Sequence, residues 1–506
     1  MENTFEIDSD KILNDALESA ERLIHEKPEL SEIILNQIFK AYGDHHKSLK
    51  LMGIVKFFQR KYKEAVPFYL RALEIEPNDP ECYNDIALSY AGLEEFEKAQ
   101  TSLEKALELK PSHPVFYSNL ALHYRQIGQH EKSIESFKKS IEIEPKDPTV
   151  WVNMGGVYGE MKDTKNARNC FEEALEIDPD FAPAHVDLAF SYHLDGDWQK
   201  GFEEFEWRFK HFNQLKFYKA AYPEDKKWDG KIDIQGKRIV LYCEQGLGDT
   251  IHFARYIEQI KAKGCHTIIH CSPVLDSIIQ RVNGVDETFN RDIVYNKGDE
   301  IPEYDYHCSI MSLPFLLKQY EISGKPYIAP IVTLKVKEQE AYKNTFNIGI
   351  SWCGSPSHPN DKARSFHLKN FKGIHDMNNV KLFSLQVDLR QRQYEDQKVV
   401  DFSSGCEDLK IVDMSNMIQI FEDSLTIVSG LDLVITCDTA LLHLCGAAGI
   451  KCWGLIPYNP DWRWGLEGNA TEWYDSIKLF RQPKAGDWES VFKEVEKELK
   501  ILTQDI

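Results

Sequence analysis

Small and large apolar residues recur at a fixed spacing over the first two hundred positions, and then the rhythm changes. Pro77, Pro111, Pro145 and Pro179 stand 34 residues apart, each closing a helical pattern: RALEIEP, KALELKP, KSIEIEP and EALEIDP. Ala65, Ala99, Ser133 and Ala167 share one position of that period. Tyr69, Leu103, Phe137 and Phe171 share a second, and Ala72, Ala106, Ser140 and Ala174 a third. On the preceding helix Tyr83, Tyr117 and Trp151 align, as do Tyr90, Tyr124, Tyr158 and Tyr192. Small residues let two helices approach, large ones fill the gap, and proline stops the second helix. Neighbouring pairs then share one continuous core. The pattern predicts units at 46–79, 80–113, 114–147, 148–181 and 182–215, the first with Lys56 in place of tyrosine and the last with Gly201 in place of alanine. Residues 1–45 read as a degenerate helical cap, and 216–235 as a junction after the aromatic-rich helix WQKGFEEFEWRFKHF.

From residue 236 buried runs bounded by turns replace the helical period. KRIVLYC and CHTIIHC read as strands of one α/β lobe over 236–340. TFNIGISWCG, VKLFSLQ, DLVITC and KCWGLIP read as strands of a second lobe over 341–506. Helices are expected at MIQIFEDSLTIVSG, at DTALLHLCGAAG and in the terminal GDWESVFKEVEKELKIL. Together these predict a multidomain chain, an all-α superhelix followed by a two-lobed α/β region.

The columns resemble the tetratricopeptide repeat. Within them Asp85, Asn119, Asn153 and Asp187 form a further column on the first helix of each pair, which lines the concave face of such a superhelix. Amides and carboxylates stacked there suit the main chain of an extended peptide. They equally suit inter-repeat hydrogen bonds or a solvated face. The column is similar to the asparagine ladder of protein O-linked N-acetylglucosamine transferase, a resemblance that implies a protein or peptide partner.

Charge and cysteine content narrow the classes. With 60 basic and 81 acidic residues the formal charge is -21, the wrong sign for non-specific nucleic-acid binding. No apolar run approaches a membrane span, and MENTFEIDSD lacks the features of a secretory signal, so a cytoplasmic protein is expected. Eleven cysteines, many inside apolar runs and none in a CxxC pair, read as buried thiols.

Four loops hold the candidate chemistry. In QGLGDTIHFARY, Gly246 and Gly248 permit a tight turn at a helix start, and Asp249 follows; neither a GxGxxG fingerprint nor a P-loop is present. In DLVITCDTALLHLCGAAG, Asp438 and Thr439 follow a strand and open a helix that carries His443, a natural diphosphate pocket. SWCGSPSHPNDKARSF brings Lys362 and Arg364 toward the same crevice. In PYNPDWRWGLEG, Asp461, Trp462 and Arg463 could wall a base or sugar or fill the gap between lobes, and Gln386 is a further wall candidate. Glu244 and His252 are alternatives to Asp249 as a base.

Taken together, the loops resemble tetratricopeptide-linked relatives of bacterial heptosyltransferases (family 9-like), which share a two-lobed GT-B fold with protein O-linked N-acetylglucosamine transferase. The resemblance rests on DTALLHLCGAAG, on GLGD, and on the run from PYNPDWRW through WYDSIKLFRQPKAGDW. It implies an inverting glycosyltransferase with Asp249 as general base. It also implies Gly248, Arg364, Asp438, Thr439 and His443 around the donor phosphates, and a last helix that crosses back to the first lobe. A nucleotide-sugar is the expected donor, with no cofactor and no metal: DxD triplets occur only near the N-terminus and between repeat helices. A non-catalytic scaffold and a nucleotide-sugar epimerase remain as alternatives. Sugar, nucleotide, acceptor and homo-oligomerisation stay open.

Overall fold

The computed structural model of the chain describes residues 9–504 apart from 213–214, 293–296, 388–390, 394–398, 402, 404–405 and 407. Residues 1–8 of the expected cap lie outside that set. The chain divides into two compact units, Met1–Asp187 and Leu188–Ile506.

Among the described residues the first unit holds five helix–turn–helix pairs, Ser9–Leu23 with Pro28–Tyr42, His46–Phe58 with Tyr62–Ile75, Pro80–Gly92 with Phe96–Leu109, Pro114–Gln126 with His130–Ile143, and Pro148–Glu160 with Thr164–Ile177. Each second helix from the second pair onward ends two residues before Pro77, Pro111, Pro145 or Pro179. A second proline, Pro80, Pro114 or Pro148, opens the next helix, where its missing N–H has no intrahelical partner to lose. Asp79 and Asp147 cap two of these starts, accepting from the N–H of Cys82 at 3.0 Å and of Thr149 at 2.9 Å.

The small-residue columns are buried, and where serine replaces alanine its hydroxyl has a partner. Ser133 donates to the Ala121 carbonyl at 2.7 Å and Ser140 to the Pro114 carbonyl at 2.9 Å. Lys56, in the tyrosine column, is buried yet paired with Glu32 at 2.7 Å and Glu64 at 3.2 Å. Gly155 allows a close approach between paired helices: a Cβ there would stand 2.4 Å from the Phe171 ring.

The second unit contains two parallel sheets. In the first lobe β1 (Arg238–Tyr242), β2 (His266–His270), β3 (Glu287–Phe289) and β4 (Tyr306–Ser309) lie in the order β3-β2-β1-β4. In the second lobe β5 (Phe346–Ser351), β6 (Val380–Ser384), β7 (Val412–Asp413), β8 (Leu433–Cys437), β9 (Cys452–Ile456) and β10 (Ile477–Arg481) lie in the order β7-β6-β5-β8-β9-β10. That is a doubly wound order whose direction reverses between β5 and β8, and open α/β sheets bind ligands at the carboxyl ends of the strands flanking such a point.

Three helices matter below: α1 (Leu247–Phe253) after β1, α2 (Ala440–Ala447) after β8, and the terminal α3 (Trp488–Leu502). The apolar face of α3, with Val491, Phe492, Val495 and Leu499, packs on Phe366, Phe371 and Ile374. All of these partners belong to the second lobe. Among the described residues no helix is long and apolar enough to cross a membrane. All eleven cysteines are free, and each is buried or half-buried.

Candidate functional site

The loop after β1 and the loop after β8 start two helices that meet across the lobes. Gly248, at the start of α1, faces α2 so closely that a Cβ would stand 2.8 Å from His443 Cδ2 and 3.5 Å from Ala440 Cα. The His443 ring cannot withdraw, because it stacks on Trp464 with centroids 5.2 Å apart and its Nδ1 lies 2.9 Å from the Tyr474 hydroxyl. His252, on α1, reaches the same hydroxyl through its own Nδ1 at 3.0 Å. Burial, and then the charge of Arg463 on His443 and of Arg255 on His252, holds both imidazoles well below their ordinary pKa, so both are neutral. One phenolic proton cannot satisfy two imidazole acceptors, so one of the two rings carries its proton on Nδ1.

Asp249 is fixed through both oxygens. Its Oδ2 accepts from the Gly246 N–H at 2.9 Å, and its Oδ1 accepts from the Arg463 guanidinium. Arg463 also donates to Asp461 at 2.9 Å, and Asp461 in turn accepts from the Arg463 N–H at 3.0 Å. Burial works against the Arg463 charge, but Asp461 and Asp249 outweigh it and hold the guanidinium protonated. The Arg463 side chain is 6% exposed and that of Asp249 22%. A carboxylate offers about four lone-pair positions, so two bonds leave Asp249 room for a further donor.

At the switch point of the second sheet, the loop after β5 delivers Arg364. Its Nη1 donates to the Asp438 carbonyl at 2.9 Å and its Nε to Asp361 at 3.3 Å. Gly354 makes room: a Cβ there would stand 2.3 Å from Arg364 Nη2. The Asp438 carboxyl is buried and pushed up in pKa, first by that burial and then by the neighbouring Asp461 charge, against the pull of Arg364. Thr439 occupies the N-cap of α2 in extended geometry and makes no side-chain capping bond.

Gly248, Asp249, Arg364, Asp438, Thr439, His443, Asp461 and Arg463 therefore converge, while other predicted residues do not join them. Gln386 has its amide committed to the turn after β5: its Oε1 accepts from Ser351 and from the N–H groups of Trp352 and Cys353, and its Nε2 donates to the Cys353 carbonyl. Trp462 is 5% exposed and packs on His193 at 4.4 Å and Trp473 at 5.8 Å, so its indole fills a core and walls nothing. Glu244 is buried beneath Arg208, which donates to it at 2.7 Å. With Glu244 and His252 both buried, Asp249 is the most accessible of the three candidates. Lys362 is exposed beside Arg364.

Sequence reasoning missed Asp361, His358 and Tyr474. Burial and then Arg364 depress the pKa of His358, while Asp461, Asp361 and Asp249 oppose that, so it sits among the same charges. Its place in the polar loop SWCGSPSHPNDKARSF was the one signal in the sequence. Among the described residues no three His, Cys, Asp or Glu side chains are grouped so as to hold a metal ion.

In the repeats, Asn119 donates to Asn84 at 2.7 Å and Asn84 donates to Asp85 at 3.2 Å, which ties two members of the polar column together across neighbouring pairs. Burial pushes Asp85 up to about 6, with Lys50 opposing, and Asp187 up to about 6, with Arg125 opposing. A folded-state pKa above the unfolded one means that stability present below about pH 4 is lost as pH rises through about 6. Asp85→Asn is therefore expected to stabilise the repeats by about 1 kcal/mol at pH 7.5, a gain that disappears below about pH 4. Thermal unfolding of the full chain at the two pH values tests this; an equal gain at both would mean that ionisation is not the cause.

Models of the tetratricopeptide repeat match residues 51–79, 80–113 and 114–180. The N-terminal region is a tetratricopeptide repeat array. Among solved structures, the chain is similar to MamA from Desulfovibrio magneticus RS-1, at 21% identity over 34% of this chain and 97% of that one, with a TM-score of 0.31. It is also similar to a thermophilic tetratricopeptide protein of Thermus thermophilus, at 16% identity over 35% and 98%, with a TM-score of 0.33. A third similarity is to the APC/C hetero-tetramer Cut9-Hcn1, at 18% identity over 43% and 42%, with a TM-score of 0.34. No curated protein matches the chain.

Proposed function

We propose that the α/β region is a GT-B type, inverting, metal-independent glycosyltransferase that moves a sugar from a nucleotide-sugar to an acceptor hydroxyl, and that the repeats bind a protein or peptide through Asp85, Asn119, Asn153 and Asp187. The observation that carries this reading is the meeting of two strand–loop–helix turns: α2 starts at the switch point with Arg364 on its entrance, and Asp249 stands on the facing turn beside Gly248. In this reading the diphosphate lies at the start of α2, where backbone N–H groups, the Thr439 hydroxyl and Arg364 offset the charge that develops as the nucleotide leaves. Asp249, oriented by Gly246 and Arg463, takes the proton of the acceptor hydroxyl as its oxygen attacks the anomeric carbon from the face opposite the leaving group. Alignment, more than the strength of a carboxylate base, supplies the rate.

Calorimetric titration of the full chain with UDP, GDP, ADP, CMP and their common sugar conjugates tests the donor site. One nucleotide is expected to bind in the micromolar range, and Arg364→Ala is expected to weaken it by about tenfold or more, the value of a charge-assisted hydrogen bond. Silence across the panel from folded protein would sink the transferase reading.

A further inference from the structure

Both guanidiniums of the candidate site already hold carboxylates. Arg463 pairs with Asp249 and Asp461, and Arg364 with the fully buried Asp361. Asp438 differs from these three. It is buried, and among the described residues no cationic side chain pairs with its carboxylate; Arg364 takes its main-chain carbonyl instead, at 2.9 Å. Asp438 also directly precedes Thr439, the N-cap of α2, where the diphosphate is placed above.

The other titratable groups around it add no compensating charge. Burial, and then Arg364 for His358 and Arg463 for His443, holds both imidazoles below their ordinary pKa. The Cys437 thiol and the Tyr474 phenol are pushed up by burial and stay neutral. Lys362, in the loop that carries Arg364, is exposed, and solvent screens its charge. Asp249, Asp361, Asp438 and Asp461 thus outnumber Arg364 and Arg463, and the site is negative before an anion arrives. A nucleotide-sugar then adds a charge on each phosphate. At about 4 Å in a partly buried site, a phosphate facing an ionised Asp438 loses several hundredfold or so in affinity. Burial and then Asp461 raise the Asp438 carboxyl to about 6, against Arg364, the Trp464 indole and Arg463. Placing a proton on it at pH 7.5 therefore costs about thirtyfold, the smaller of the two losses. The O–H so formed can donate to a phosphate oxygen as a charge-assisted hydrogen bond.

We propose that Asp438 takes up one proton from solvent when the nucleotide-sugar binds, holds the diphosphate as a neutral carboxylic acid and returns the proton when the nucleotide leaves, an inference that rests on the donor site proposed above. The test is calorimetric titration of the full chain with UDP-glucose, GDP-mannose and ADP-glucose, whose diphosphates are diesters that stay ionised near neutral pH. Each is titrated in PIPES and in Tris, buffers of unlike ionisation enthalpy. At pH 7.5 the conjugate that binds is expected to carry close to one proton into the site. Its affinity is expected to fall about tenfold from pH 6.5 to pH 7.5, because the group binds the proton more tightly in the complex. Asp438→Asn, whose amide can donate in place of the acid, is expected to bind with no proton uptake and no such fall. Asp438→Ala is expected to be equally insensitive to pH but about tenfold weaker than Asp438→Asn, having no donor. Binding by the parent chain without uptake, a measurement that needs no variant, would overturn the inference and leave the donor site standing. Uptake that persists in Asp438→Asn, or equal affinity of the two variants, would overturn it in the same way. Silence of all three conjugates would sink the donor site, and this inference with it.

Discussion

An Asp249→Asn variant is expected to bind the donor nucleotide as the parent chain does and to release nucleoside diphosphate about 10²–10⁴-fold more slowly, the usual contribution of a positioned general base. The expectation follows from exposure and geometry together. Glu244 is buried under Arg208, and His252 is buried and shares the Tyr474 hydroxyl, so neither can replace Asp249 at an incoming hydroxyl. Asparagine keeps the shape but has one acceptor where the carboxylate has two. Its amide N–H must then face either the Gly246 N–H or the Arg463 guanidinium, at a cost of about 1–3 kcal/mol. Thermal unfolding has to be recorded beside the rate to separate the two effects. Turnover within about threefold of the parent, far short of the loss of a general base, would remove Asp249 from the mechanism.

Arg208→Met is expected to be the most destabilising single change in the α/β unit, at about 3–5 kcal/mol. Arg208 has no exposed side-chain surface and donates to Glu244 at 2.7 Å, Glu206 at 2.6 Å and Ser312 at 2.8 Å. Removing it leaves Glu244 as an uncompensated charge in a place where burial already raises its pKa. In the variant that carboxyl titrates above its unfolded value, so the loss grows as pH rises. Adding Glu244→Leu is expected to recover much of it, because replacing both partners removes the buried charge altogether. Urea unfolding, with the transition of the α/β unit followed separately from that of the repeats, measures both variants. A loss under about 1 kcal/mol in the single variant would mean that water reaches the pair.

The repeats were legible because their signal is redundant: Ala65, Tyr69, Ala72 and Pro77 each recur at one period, so a worn unit such as the one with Lys56 is still placed by its neighbours. The strands that announce themselves are five or six residues long and mainly apolar, as in RIVLY or FNIGIS. β3, with three residues, and β7, with two, carry no pattern of their own and exist through pairing with β2 and β6. In the site, Arg364, Asp438 and Thr439 could be found because a polar loop directly after a buried strand has a defined place in a parallel sheet. Tyr474 could not, since its hydroxyl is shared by His252 and His443, and His252 is far away in the chain; nor could Asp361, since only the fold shows that the Arg364 guanidinium it holds three residues away also grips the distant Asp438 carbonyl. For Trp462 the sequence left two readings open for a related reason, and the structure matches the one in which it fills the gap between lobes. An aromatic residue in a turn looks the same whether it faces a ligand or, as here, the rings of His193 and Trp473.

The shared hydroxyl of Tyr474 bears on how a ligand enters. Tyr474 and His443 belong to the second lobe and His252 to the first, and Arg255 of the first lobe donates to the Trp473 carbonyl at 3.0 Å. Any hinge motion that widens the passage between α1 and α2 must part these bonds in an apolar interior, where no solvent replaces them at once. If the region turns over a substrate as proposed, the opening of this polar clasp limits entry and exit alongside the chemistry behind it.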